Sequence, residues 1–229
     1  MKKFILLAAC ATMILSSCGT WSNLAKGSAI GGGSGAAVGA GVGALIGKDA
    51  KSAAIGSAIG AIVGTGVGAI IGDRMDKKAE ELAAIEGASV ETVTDVNNLT
   101  SVKVTFDNGI LFDFNQATLS DAAKKSLKEF AEKMADMPET DITIWGHTDN
   151  VGTAEANQKV STNRANAVLD FLAAQGIATD RMVAEGKSYD MPVASNDTKA
   201  GRAQNRRVEV YITANEAMIA EAAAEAEAN

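Results

Sequence analysis

Asp149 and Arg164 are the two residues whose charge and placement could do chemistry together. Arg164 lies four residues after Val160 and four before Val168, at the border of an apolar helical stripe. A guanidinium there needs an anionic partner, because burying it unpaired is costly. Asn157, Ser161 and Arg164 recur at i, i+4 and i+7, so they share one face of a predicted helix. Asp149 follows a predicted strand in the loop Gly146-His147-Thr148-Asp149-Asn150 and is the natural counter-charge. A carboxylate facing a guanidinium fork across a small concavity can receive a zwitterion. The acid would hold an ammonium, and the arginine would grip a carboxylate through two N–H bonds. Amino-acid-like ligands carry that pattern. On these residues alone, an ion pair that merely ties loop to helix explains them better.

Other chemistries find little support. His147 is the single histidine and is expected to shape its loop rather than bind metal or move protons. Asp113 reads as a turn or sheet-edge residue. No metal-ligand cluster or cofactor motif is evident, and no serine sits beside an evident base. The formal charge of -7 argues against a nucleic-acid partner.

The elements that must position the pair form an α+β unit. Val102, Val104 and Phe106 alternate with polar residues as a half-buried strand requires. After the turn signal Asp107-Asn108-Gly109, Ile110, Phe112 and Phe114 alternate again. Ser120 can cap a helix burying Ala123, Leu127, Phe130, Ala131 and Met134, which Pro138 closes. Ile142 and Ile144 mark a strand, with Trp145 pointing to its other side. A helix runs from about 154 to 175, and 181–185 reads as a strand. A long loop fills 186–201, and Val208, Val210 and Ile212 form a last strand. The Ala/Glu-rich tail 215–229 reads as a solvated acidic helix.

Upstream, glycines repeat every four residues in two runs, Gly31 to Gly47 and Gly56 to Gly72. That period places each run's glycines on one helical stripe where backbones can approach closely. The uncharged stretches Ala29–Gly47 and Ala53–Gly72 approach the ~20 residues that span a bilayer, and Lys48, Asp49 and Lys51 fall between them. The pattern resembles the glycine-zipper segments of bacterial envelope lipoproteins. It predicts a helical hairpin over 29–72 that inserts in the membrane and can form homo-oligomers through the stripe; the alternative is a self-packed hairpin that only spaces the next domain from the membrane. Residues 73–100 read as a helical and linker segment carrying Met75, Ala79, Leu82 and Ile85 as a thin apolar stripe.

The N-terminus reads as an export signal over 1–17: Lys2 and Lys3, an apolar stretch, then small residues. Leu15-Ser16-Ser17-Cys18 resembles a lipobox, which implies cleavage before Cys18, acylation there, and a lipidated tether over 18–28. Gly19 after the cysteine is associated, in enteric bacteria, with delivery to the outer membrane.

Residues 102–213 resemble the OmpA C-terminal domain, a peptidoglycan-binding module. The matching stretches are Ile110 to Asn115, Gly146-His147-Thr148-Asp149-Asn150-Val151-Gly152, Asn157, Ser161-Thr162-Asn163-Arg164-Ala165, and Gly201 to Glu209. The resemblance implies a βαβαβ sandwich with a mixed sheet over 101–214. It further implies that Asp149 and Arg164 hold the diaminopimelate residue of a stem peptide, with Asn115, Asn157, Thr148 and Arg206 as further polar contacts. The expectation is a non-enzymatic outer-membrane lipoprotein whose periplasmic domain tethers the membrane to the wall. The alternative is an oligomeric glycine-zipper pore or stress-response element anchored there.

Overall fold

The computed structural model describes residues 65–112 and 117–228. The signal sequence, Cys18, the first glycine run, most of the second and Asn115 lie outside these residues. The order is helix α1 (Thr65–Leu82), strands β1 (Ala88–Thr94) and β2 (Thr100–Asp107), a single helical turn α2 (Asn108–Leu111), and helix α3 (Asp121–Lys133). Strand β3 (Thr140–Gly146), helix α4 (Ala154–Ala174), strand β4 (Met182–Gly186), short helix α5 (Lys199–Asn205), strand β5 (Arg207–Ala214) and helix α6 (Glu216–Ala228) follow.

The five strands form one mixed sheet in the order β1-β2-β5-β3-β4, as the α+β expectation requires. Only β3 and β4 run parallel; the other neighbours are antiparallel. Register explains the core. Val102 pairs with Ile212, Val104 with Val210 and Phe106 with Val208, while Ile142 and Ile144 meet Ile212 and Val210 from the other side. Alternation then puts these residues on one face, where they join Leu127 and Phe130 of α3 and Val168 and Leu172 of α4 in one buried cluster. The opposite face carries Trp145, Glu209 and Tyr211. Trp145 packs on Tyr211 with ring centroids 4.7 Å apart, and Lys187 Nζ lies 4.4 Å from the indole centroid.

Three stretches differ from the sequence expectation. Ile110 and Phe112 do not continue a strand: residues 108–111 make a helical turn, and Phe112 forms an isolated bridge to Leu119. Leu111 and Phe112 are both buried, and adjacent buried side chains break the period of two that a half-buried strand needs. The expected loop 186–201 ends in α5, capped by Thr198, whose hydroxyl accepts from Gly201 N–H at 3.0 Å. The acidic tail is helical but not solvated all round. Met218, Ile219 and Ala222 of α6 are buried, and Glu221 and Glu225 pair with Arg74 of α1 at 3.2 and 3.0 Å.

Candidate functional site

The loop after β3 is pinned at successive residues. His147 N–H donates to Arg207 O at 2.9 Å and Thr148 N–H to Ser188 O at 2.8 Å. Asp149 Oδ1 accepts from Val151 N–H at 3.0 Å. Gly152 takes a φ of 102°, in the left-handed region that favours glycine. Asn157 Nδ2 then donates back to Val151 O at 3.0 Å, so this candidate contact residue fastens the loop to α4. Thr153 caps α4, its hydroxyl accepting from Ala156 N–H at 3.2 Å.

Helix α4 lies very close to the sheet. Gly146 and Gly186 are paired across β3 and β4, and a Cβ on Gly146 would stand 2.2 Å from Ser161 O. Ser161 Oγ accepts from Ser188 N–H at 3.1 Å and donates to Gln158 O at 3.0 Å. Asn157, Ser161 and Arg164 are all buried, as their shared spacing predicts.

Asp149, Arg164 and Arg206 come together. Asp149 makes its ion pair with Arg206, Nη1 to Oδ2 at 2.7 Å, rather than through the direct contact with Arg164 that the sequence suggested. The Arg206 side chain is 38% exposed, whereas Arg164 is only 4% exposed. Burial lowers the pKa of Arg164, the Arg206 charge lowers it further, and Asp149 opposes both. The three charges therefore sense one another across one small region. Arg164 Cζ lies 5.3 Å from the centroid of the Phe112 ring, a cation–π distance. Thr148 is buried and its hydroxyl has no hydrogen-bond partner among the described residues, so these leave a polar group beside Asp149 unmatched.

Two positioning residues were missed in the sequence. Phe112 could have been suspected as an aromatic near a buried guanidinium. Ser188, at φ 50°, links the loop after β3 to Ser161, and no sequence signal marks it.

Residues 111–206 match the OmpA family model, and residues 1–76 match the YMGG-like Gly-zipper model. The chain thus carries an OmpA-like region after a stretch that matches a glycine-zipper model. Over 106 residues it is 36% identical to the probable lipoprotein YiaD of Escherichia coli, covering 46% of this chain and 48% of that one. Over 126 residues it is 35% identical to the peptidoglycan-binding protein ArfA of Mycobacterium tuberculosis, covering 55% of this chain and 37% of that one. The chain spans less than half the length of either relative. Among solved structures, the cell wall anchor of the type VI secretion system of Pseudomonas aeruginosa superposes with a TM-score of 0.52 at 29% identity, covering 62% of this chain and 98% of that one.

Proposed function

We propose that this chain is a non-enzymatic lipoprotein, acylated at Cys18, whose domain ties the outer membrane to peptidoglycan from the periplasmic side. Asp149 and Arg164 hold the diaminopimelate residue of a stem peptide, and Thr148, Asn157, Arg206 and Asn115 complete the site. The carrying observation is the convergence of one buried carboxylate and two guanidiniums beside a Thr148 hydroxyl that has no partner among the described residues. Diaminopimelate offers an ammonium and a carboxylate on one carbon, which suits such a set. A carboxylate has about four acceptor positions, and Asp149 has used two, on Val151 and Arg206. The ammonium can take another without displacing Arg206. The matches to a peptidoglycan-binding protein and a cell wall anchor support the wall as partner, and the match to a lipoprotein supports the anchor.

Co-sedimentation with purified sacculi tests the reading. The full chain should pellet with sacculi and be released by free diaminopimelate. Asp149→Ala and Arg164→Ala should each weaken binding by about 2–5 kcal/mol, the cost of stripping one partner from a hydrogen-bonded charge pair. Undiminished pelleting of both variants, with circular dichroism unchanged, would place the wall contact elsewhere.

A further inference from the structure

We infer that the second glycine run, Ala53–Gly72, does not cross a bilayer while the domain is folded, because its last eight residues belong to the domain. Helix α1 begins at Thr65, inside that run, and continues without a break through the charged residues to Leu82. Val67 and Ile71 are buried in the same cluster as Met75, Leu82 and the sheet residues. They sit at i, i+4 and i+8 with Met75, one stripe on one helix. Two glycines of this stretch, Gly66 and Gly72, stand close to other parts of the protein. A Cβ on Gly66 would lie 3.3 Å from Ala226 Cβ of α6, and one on Gly72 would lie 3.4 Å from Thr100 Oγ1 of β2. Arg74, two residues further on, bonds to Glu221 and Glu225 of α6 and closes the seam.

The remaining uncharged stretch, Ala53–Gly64, has twelve residues. As a helix it would measure about 18 Å, against a hydrocarbon core of ~30 Å. Docking and spanning are therefore mutually exclusive for this run. A pore built from two crossing runs is incompatible with this arrangement.

The test uses the full chain in phospholipid vesicles, with a membrane-impermeant maleimide present on both sides of the bilayer. Ala69 is exposed on the outer side of α1, and Gln175 is exposed at the end of α4. Label on the parent chain supplies the background from Cys10 and Cys18. Ala69→Cys should react within about threefold of the rate of Gln175→Cys, as two water-facing thiols do. An Ala69→Cys rate more than about tenfold slower, restored by detergent, would overturn the inference, since lipid excludes the reagent. The paired variant Gly66→Cys with Ala226→Cys should oxidise to a disulfide in the same vesicles, and failure to do so would count against docking. Sacculus binding is scored separately. Its loss with Ala69→Cys still open to water removes the tether reading and leaves the docked helix standing.

Discussion

Glu209 is a buried anion with three neighbours. Arg207 Nε donates to Oε1 at 2.8 Å, Tyr211 OH donates to Oε2 at 2.8 Å, and His147 Nε2 lies 3.2 Å from Oε2. Arg207 adjoins Arg206, and His147 stands two residues before Asp149, so this cluster fixes the two chain segments that carry the candidate site. Burial disfavours the Glu209 charge, but His147 and Arg207 outweigh it and hold its carboxyl well below the ordinary range. Burial lowers the pKa of His147, and Arg207 and Lys187 add to that, against the pull of Glu209. A histidine with a folded pKa below its unfolded value of 6.5 takes up its proton more readily when unfolded. Stability is then lost as pH falls from about 6.5, and the Glu209 contribution is lost only below its unfolded value of 4.5. Replacing the histidine should separate the two windows. His147→Gln should show a midpoint of thermal unfolding that falls less than the parent's between pH 7 and pH 5, measured by calorimetry. The parent-minus-variant difference cancels the opposite contributions of Asp95 and Asp141, whose burial raises their pKa values. A parallel fall in both proteins would remove His147 from the acid response.

Close approach of α4 to the sheet depends on glycine at the ends of β3 and β4. Ser161 and Arg164 reach the loop because Gly146 and Gly186 present no side chain to that helix. Gly146→Ala would drive a methyl into the Ser161 carbonyl at 2.2 Å, where the three nearest atoms are all backbone and yield poorly. Overpacking of this kind costs about 1–3 kcal/mol, and it should also weaken sacculus binding by lifting Arg164 off the site. Denaturant unfolding and co-sedimentation read the two effects; unchanged stability would mean that the helix can ride higher without cost. The glycine ending β3 was visible in the sequence, but its contact with α4 was not, since nothing local says what lies above a strand's end. The helical face of Asn157, Ser161 and Arg164 was legible because spacing alone defines it. The Asp149–Arg206 bond was not, because the two residues are 57 apart in the chain and only the β3–β5 pairing brings them together. The strand expected through Phe112 failed for the converse reason. Its alternation was genuine over three residues, but Leu111 between them also found a place in the core.

At the scale of the whole molecule, the first and last helices of the described residues close on each other, and neither stretch advertised this. Val67 and Ile71 are hidden within a glycine run whose uniform small-residue composition suggests lipid. Met218 and Ile219 are two apolar side chains in an Ala/Glu background that reads as solvent-facing. Each helix alone has too narrow an apolar stripe to hold its place, and tertiary packing supplies what propensity does not. Helix α6 covers the side of α1 where Gly66 leaves room for Ala226, and its glutamates neutralise Arg74. Ending the chain after Asn215 would remove the buried Met218, Ile219 and Ala222 and leave Arg74 without those two carboxylates. Two buried apolar side chains at about 1.5–3 kcal/mol each set the scale of the loss. Helix α1 should loosen first, because α6 packs mainly on it and only lightly on β5. Hydrogen exchange should therefore show amides of 65–82 losing protection while those of β2, β3 and β5 keep theirs, since the sheet retains all its strand partners. Equal loss in the sheet would show that the clasp and the sheet unfold as one unit, so that strain on α1 would pass directly to the sheet.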